Sequence, residues 1–222
     1  MGSSDQLEVA VVTGGHRFDV RAFDDLWRTL PGIRGYVQSF SNFIADWGSN
    51  SEHYDCVVFY NFQQDFADTA VSEDEADALL GDLFESGTGV VVCHHALMAF
   101  PDWDRWNELC NLDNRSVDDE RFDFFFDQSF ECVCVRDHPV LESMPERFDL
   151  VDETYTLPEE PAKADRLVET DYPNSATTLA WTHEISNTRV VCLQPGHGPT
   201  AYANDNFRTL LRNAITWTSP EP

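Results

Sequence analysis

Short, fully apolar runs alternate with amphipathic segments along this chain, and that alternation restricts the fold more than any other feature. The first run ends in the turn Thr13-Gly14-Gly15-His16, and helical periodicity begins a few residues later. The second helical segment begins near Ser72, where Glu75 has capping-box spacing. The apolar runs cover residues 9–12, 56–60 and 90–93, and the helical segments cover residues 20–30 and 72–84. Such strands predict an α/β protein with a parallel sheet covered on both faces.

The second half of the chain is less regular. Residues 101–147 are rich in aromatic and acidic side chains, and we expect a helix there followed by an excursion of antiparallel strands. Further strands are expected over residues 148–155, 167–169, 178–182 and 189–193, and a terminal amphipathic helix over residues 206–217. No repeat or composition break divides the chain, so we expect one domain over residues 1–222, structured from about residue 7 to about residue 218.

The charge balance excludes two classes of partner. The chain has 14 basic and 40 acidic residues and a formal net charge of −26, so a nucleic acid or an anionic membrane surface would be repelled at long range. Lys163 is the only lysine, and aspartates outnumber glutamates. Because salt screens repulsion between carboxylates, this composition indicates an acidic, halophilic protein adapted to a salty solvent.

The cysteine pattern and the amino terminus indicate the cellular compartment of the protein. The six cysteines form no C-x-x-C pair and no zinc-ribbon spacing, and three of them lie in or at the end of apolar runs. Residues 1–6 lack the basic flank and apolar core of a signal peptide, and no run approaches the roughly 18 apolar residues of a membrane-spanning helix. We therefore expect a cytoplasmic protein without a disulfide framework.

Side chains that carry chemistry gather where the predicted strands end. They are His16, Cys93, His94, His95, Asp152, Glu153, Tyr155 and His197. A single histidine is more often an ordinary hydrogen-bonded loop residue, but four of the seven histidines lie at such ends. Because parallel strands bring their carboxyl ends to one edge of a sheet, we expect these side chains to lie close together.

Two chemistries fit these residues. Neutral imidazoles with one carboxylate form a metal shell, so His16, His94, Glu153 and His197 predict a site for a divalent metal such as zinc. A water bound to such a metal becomes a nucleophile near neutral pH. Alternatively, Cys93 is a nucleophile at a strand-to-helix turn, with His197 as base and Glu153 or another acid as the orienting group. Neither spacing decides between them, and Cys93 also suits a buried strand end.

A series of short motifs runs in order along nearly the whole chain. They are Val11-Val12-Thr13-Gly14-Gly15-His16, Gly89-Val90-Val91-Val92-Cys93-His94-His95-Ala96, Asp137-His138-Pro139, Asp152-Glu153-Thr154-Tyr155, Leu179-Ala180-Trp181-Thr182, Gly196-His197 and residues 207–217. Together they resemble the ThuA-like, or trehalose-utilisation, proteins. The sequence departs from that family in having His95 where a glycine is common.

The resemblance implies a flavodoxin-like three-layer sandwich of the class I glutamine amidotransferase-like superfamily, with a mostly parallel central sheet and helices on both faces. It also implies a role in carbohydrate metabolism, with trehalose or a related small-molecule sugar as the partner. By analogy with the amidotransferase fold, Cys93 or His94 would occupy the nucleophile turn, and His197 would lie near the position of the triad histidine.

Three functions remain open at this point. The first is a metal-assisted hydrolase or lyase in which His94, Glu153 and His197 are catalytic, and the second is a cysteine-dependent amidotransferase-like hydrolase built on Cys93. The third is a non-catalytic sugar-binding or regulatory module, because a fold does not determine a function. Substrate contacts are assigned to His16, His95, Asp152, Tyr155 and Trp181. The chain is also expected to be able to form a homo-oligomer.

The salt adaptation is testable. We expect the protein to lose structure when salt is removed by dialysis, because unscreened carboxylates repel one another more strongly in the compact state than in the unfolded chain. Circular dichroism during stepwise dialysis measures this loss. Full stability in low salt with a chelator present would contradict the interpretation of the acidic composition.

Overall fold

Strands and helices alternate along the first half of the chain, whereas strands dominate the second half. The computed structural model describes residues 6–161 and 163–220, and residues 1–5, on which the signal-peptide expectation depends, lie outside the described residues. The strands are β1 (Leu7–Gly14), β2 (Ile33–Ser39), β3 (Cys56–Asn61), β4 (Gly89–Cys93), β5 (Phe124–Cys134), β6 (Arg147–Tyr155), β7 (Asp165–Glu169), β8 (Thr178–Ile185) and β9 (Thr188–Leu193). The helices are α1 (Val20–Thr29), α2 (Phe40–Asn50), α3 (Glu73–Ser86), α4 (Asp104–Cys110), α5 (Pro199–Tyr202) and α6 (Asp205–Thr218).

Five strands form the parallel half of one nine-stranded sheet. The strand order is β2-β1-β3-β4-β9-β8-β7-β5-β6, and the first four neighbouring pairs are parallel. Alternate residues of β1 point to opposite faces. Val9 and Val11 pack in the layer of α1 and α6, while Ala10 and Val12 pack in the layer of α2 and α3. Both faces of this half are buried, which explains why its central strands are apolar throughout.

The other half of the sheet is antiparallel, which corrects the expectation of a mostly parallel sheet. The four neighbouring pairs from β9–β8 to β5–β6 all run antiparallel. The cause is local, because β8 and β9 are joined by only Ser186 and Asn187, and so short a link permits only an antiparallel pair. Ser186 has a φ of 52°, as tight hairpin turns often require. The protein is therefore an α/β fold with a mixed sheet.

The structure contains elements that the sequence pattern does not predict. The edge strand β2 exposes Tyr36 and Val37, so it lacks the continuous apolar run of a central strand. Helix α2 follows β2 directly and is capped by the Ser39 hydroxyl. Within residues 101–147, by contrast, lie α4 and the 11-residue antiparallel strand β5, in the order that the sequence predicts for this region. None of the helices in the described parts of the chain is long and apolar enough to cross a membrane.

The hairpin of β5 and β6 reaches back towards the parallel half of the sheet. Because β5 pairs with β7 only at Val133 and Cys134, most of the hairpin is free to leave the plane of the sheet. β6 is five places from β4 in the strand order. Nevertheless, the Tyr155 hydroxyl donates to the His94 carbonyl at 3.0 Å, and the Tyr155 carbonyl accepts from Gln194 Nε2 at 2.7 Å. The hairpin thus brings β6 to the carboxyl ends of β4 and β9.

The packing of α6 against β4 gives a stability prediction at Gly89. A Cβ atom at this position would lie 2.5 Å from the carbonyl carbon of Thr218 and 2.6 Å from its Cβ. We expect Gly89→Ala to lower the free energy of unfolding by about 1–3 kcal/mol, because the helix must shift to relieve the overlap.

The matched control is Gly81→Ala on α3, where a new Cβ would meet nothing within 4 Å. Alanine is the better helix former there, so this variant should gain roughly 0.5–1 kcal/mol. Urea unfolding of both variants measures the difference. Equal stability of the two variants would contradict the close contact between α6 and β4.

Candidate metal centre

Two strand ends and one outer strand supply a cluster of four side chains. His94 and His95 follow β4, His197 follows β9, and Glu153 lies in β6. One ligand atom from each of the four lies within 4.8 Å of all the others. The hairpin of β5 and β6 therefore completes a site that the parallel strands begin.

The distances within the cluster are short. His94 Nε2 lies 3.1 Å from His197 Nδ1 and 3.6 Å from Glu153 Oε1. The other carboxylate oxygen, Glu153 Oε2, is 3.1 Å from His197 Nδ1. His95 Nε2 is 2.9 Å from Glu153 Oε1. The carboxylate thus lies against all three imidazoles.

The backbone at His94 explains how two consecutive histidines reach one cluster. Neighbouring residues of an extended strand point to opposite faces. His94 has a φ of 53°, a conformation that is uncommon outside glycine, so the chain turns sharply as β4 ends. The residue at the strained turn is therefore His94 rather than Cys93, and both His94 and His95 face Glu153.

The tautomer of His94 follows from its hydrogen bond. Its Nδ1 lies 2.7 Å from the carbonyl oxygen of Gln194, which can only accept, so Nδ1 carries the proton. Burial, followed by repulsion from His95 and His197, holds the pKa of His94 well below its ordinary value. The ring is consequently neutral near pH 7, and its Nε2 presents a lone pair to the cluster.

Burial also shifts the pKa values of His95 and Glu153. It lowers the pKa of His95 well below the ordinary value, with further lowering from His16 and His197. It raises the pKa of Glu153 to about 7, and the nearby His197 opposes that shift. Burial penalises charge in both cases, so His95 and Glu153 are polar groups held largely out of water with incomplete compensation.

The loop that carries His197 is tied to β6 by Asp152. The buried Asp152 carboxylate accepts the backbone N–H of Gly196 at 2.6 Å and that of His197 at 3.1 Å. On the other side, the Tyr60 hydroxyl donates to the Gly196 carbonyl at 3.0 Å. Gly196 has a φ of 129°, and a Cβ there would lie 3.1 Å from Cys93 Sγ. Asp152 thus positions the loop instead of leaving its carboxylate free for substrate.

The buried guanidinium of Arg115 stabilises the segment that follows His94 and His95. Arg115 donates to the backbone carbonyls of Leu97 at 2.9 Å, Ala99 at 2.6 Å and Phe100 at 2.9 Å. It also donates to Asn107 Oδ1. Burial lowers the pKa of Arg115, and the carbonyl dipoles surround its charge. The His94–His95 turn is therefore held in place from the protein interior.

The structure places His16 outside the set of four donors, which corrects its assignment as a ligand. His16 Nδ1 lies 3.4 Å from the Gly14 carbonyl, and its Nε2 is buried without a hydrogen-bond partner among the described residues. Its ring centroid is 4.8 Å from that of His95 and 4.9 Å from that of Tyr60. Burial lowers the pKa of His16 to about 4. His16 packs beside the cluster, and His95, for which the sequence predicts substrate binding, is the fourth member of the cluster.

Three further assignments are corrected by burial. The Cys93 side chain is buried with Sγ 3.7 Å from the Pro195 carbonyl, and burial raises the pKa of its thiol, which opposes a role as nucleophile. Trp181 is fully buried and donates to the Cys110 carbonyl at 3.0 Å, so it is a core residue. Tyr155 is fully buried and donates to the His94 carbonyl, so its hydroxyl supports the cluster from the interior.

A pocket of about 230 Å³ opens beside Glu153 and His197. Phe126 and Asp127 also line it, and the sequence assignments include neither residue. The available signal was the run Phe124-Phe125-Phe126, since three successive phenylalanines in a strand cannot all face one core. The larger groove between α2 and α3, about 880 Å³, has no comparable donor cluster among its described lining residues.

Sequence comparison identifies one family. The chain matches the ThuA family model, described as trehalose utilisation, over residues 44–218. That match includes His94, His95, Glu153 and His197. Among curated proteins, none matches the chain.

Solved structures share the fold at low sequence identity. A ThuA-like protein from Parabacteroides merdae has a TM-score of 0.74 at 18% identity, over 96% of this chain and 90% of that chain. A ThuA-like protein from Bacteroides uniformis has a TM-score of 0.70 at 16% identity, over 98% and 94%. A glutamine amidotransferase from Thermotoga maritima has a TM-score of 0.55 at 9% identity, over 96% and 98%. These likenesses show the fold alone.

The burial of Cys93 gives a labelling prediction. We expect iodoacetamide to modify Cys134 in the native protein on the order of 100-fold faster than Cys93, because Cys134 is only partly buried. Peptide mapping by mass spectrometry measures both rates. Denatured protein, in which both thiols should react alike, is the control, and rapid native labelling of Cys93 would contradict its buried role.

Proposed function

The chain belongs to the ThuA family, and we propose that it is a metal-dependent enzyme of trehalose or related disaccharide metabolism. His94, His95, Glu153 and His197 would hold one divalent ion, and the reaction would be a hydrolysis or an elimination on a sugar. The observation that carries this proposal is the convergence of four ligand atoms within 4.8 Å at the carboxyl ends of the parallel strands.

Hydrogen bonds alone leave this cluster unsatisfied. His197 Nδ1 lies 3.1 Å from the lone pair of His94 Nε2 and 3.1 Å from Glu153 Oε2, and it has at most one proton to donate. At least one of these contacts then brings two lone pairs together in a buried site. A cation bound between the atoms removes that repulsion and also balances the buried carboxylate.

The spacing of the atoms suits a first-row metal. Bonds of about 2.1 Å at tetrahedral angles place neighbouring ligand atoms about 3.4 Å apart. Glu153 Oε1 lies 2.9 Å from His95 Nε2 and 3.6 Å from His94 Nε2, and Glu153 Oε2 lies 3.1 Å from His197 Nδ1. Imidazole nitrogens with a single carboxylate favour zinc or a neighbouring transition metal over magnesium or calcium.

Each residue has a definable role in such a centre. A bound ion would supply a Lewis acid and lower the pKa of a coordinated water. His94 presents a fixed lone pair because the Gln194 carbonyl holds its other nitrogen. Glu153 supplies negative charge from a side chain that is only 2% exposed, whereas the His197 side chain is 32% exposed. Substrate would therefore approach from the His197 side, where the pocket opens.

The charges around the centre favour an uncharged substrate. All the ion-pair contacts of Glu153 within the described residues are to histidines, so no arginine or lysine pairs with it. The net charge of −26 adds a long-range field that repels anions. A neutral disaccharide agrees with both observations and with the trehalose-utilisation description of the family.

Metal binding tests the proposal directly. After dialysis against a chelator, the protein should take up one equivalent of Zn²⁺ in a calorimetric titration, and Co²⁺ should give the visible absorption of a low-symmetry site. Glu153→Gln should weaken zinc binding by at least about 100-fold, because it removes a ligand charge as well as a ligand atom. Turnover of trehalose, maltose or sucrose should fall by a similar factor.

The control is Glu52→Gln, which changes an exposed glutamate in the turn after α2. It should bind zinc like the wild type, and thermal unfolding should show that both variants are folded. Equal zinc affinity of Glu153→Gln and the wild type would refute the metal centre. Sugar binding without product over a panel of divalent metals would refute the catalytic role and favour a binding module.

A further inference from the structure

A bulge in β5 lies directly opposite the candidate metal ligand of β6. Two residues, Phe126 and Asp127, occupy the space across from the single residue Glu153. Asp127 has a φ of 54°, so the chain leaves the extended conformation at this point. A bulge of this kind redirects side chains out of the regular alternation of a strand and is common beside active sites.

Neighbouring side chains hold the bulge in its shape. The Tyr172 hydroxyl donates to Gln128 Oε1 at 2.5 Å, and Gln128 Nε2 donates to the Phe126 carbonyl at 2.5 Å. Phe126 is thus connected to the loop after β7 through two successive hydrogen bonds. A ligand that binds at Phe126 would meet a pre-formed surface and would not have to order it.

The Phe126 ring lies where a ligand in the pocket could contact it. The residue is 53% exposed although its side chain is a large apolar ring. Its centroid lies 5.6 Å from that of His197, and Phe126 and Asp127 line the same pocket as Glu153. An exposed aromatic ring, an exposed carboxylate and the candidate catalytic groups therefore share one small cavity.

We propose that Phe126 and Asp127 form a sugar-binding subsite, in which the phenyl ring stacks on the apolar face of a pyranose and the carboxylate accepts hydrogen bonds from its hydroxyls. The inference rests on the proposed function, because it takes the substrate to be a neutral sugar. The C–H groups on one face of a pyranose carry partial positive charge and face the electron-rich side of an aromatic ring. The bulge places that ring where a sugar could also reach His197.

Binding of trehalose, maltose and sucrose tests the subsite. We expect Phe126→Ala to weaken binding of the preferred disaccharide on the order of tenfold or more, and Phe126→Trp to retain it, since stacking needs only a flat aromatic face. Asp127→Asn should weaken binding less than Phe126→Ala. Calorimetry gives the affinities, and saturation-transfer NMR should show contact through the protons of one sugar face.

Two controls separate stacking from general damage. Tyr36→Ala removes another exposed aromatic ring, 43% exposed on the edge strand β2, that does not line this pocket, and it should leave sugar affinity unchanged. Sorbitol, an acyclic polyol without a ring face, should bind the wild type and Phe126→Ala equally weakly. Phe126→Ala should keep the wild-type zinc stoichiometry.

The outcomes distinguish the subsite from the proposed function. Wild-type sugar affinity in Phe126→Ala would overturn the subsite and leave the metal-dependent activity standing. Loss of zinc binding in Glu153→Gln tests that activity separately. Sugar titrations with and without zinc measure sugar affinity independently of zinc affinity. If no disaccharide binds the wild type, both the subsite and the sugar substrate are refuted. A dimer that Phe126→Ala converts to a monomer would show that the ring is a subunit contact, which also overturns the subsite.

Discussion

The candidate site depends on one buried carboxylate, that of Asp152, which joins two separate parts of the fold. It accepts backbone N–H groups from Gly196 and His197 and so ties the outer strand β6 to the loop after β9. Burial raises the pKa of Asp152 to about 7, and the two amide bonds oppose that shift. Glu153 and His197 belong to strands four places apart in the sheet, and the Asp152 contact, together with the hydrogen bonds of Tyr155, holds the two strands together at this point. The convergence of Glu153 with the three histidines therefore depends on the anchoring of the hairpin.

The segment that carries His94 has unfavourable backbone conformations, and hydrogen bonds from buried side chains offset their free-energy cost. His94 and Phe100 both have positive φ values, 53° and 45°, within one short segment. Such conformations persist only where the surroundings fix them. Arg115 fixes this segment by donating to three of its carbonyls, and Tyr155 fixes the carbonyl of His94 itself. A buried arginine and a buried tyrosine thus act on the histidines without touching a substrate.

The sequence allows the parallel half of the sheet and the gathering of histidines to be predicted, because buried strands have a recognisable composition and end at one edge. It does not reveal which histidines converge. Adjacent residues at a strand end are expected to diverge, and nothing in the pattern marks the positive φ that turns both His94 and His95 towards Glu153. The hairpin that delivers Glu153 and the bulge at Phe126 depend on pairing between distant segments, which periodicity within one segment cannot report.

The acidic composition of the chain and the histidine-rich cluster together bear on which cation the proposed centre would bind. A chain with 40 acidic residues attracts counter-ions of every kind, including hard cations that prefer carboxylate and water ligands. A centre built from carboxylates alone would bind those abundant hard cations in preference to a transition metal. Three imidazoles and one carboxylate favour a transition metal instead, and burial keeps His94 and His95 neutral and ready to coordinate. The same charge that would fill an all-acid site with abundant cations would therefore leave the proposed metal centre selective.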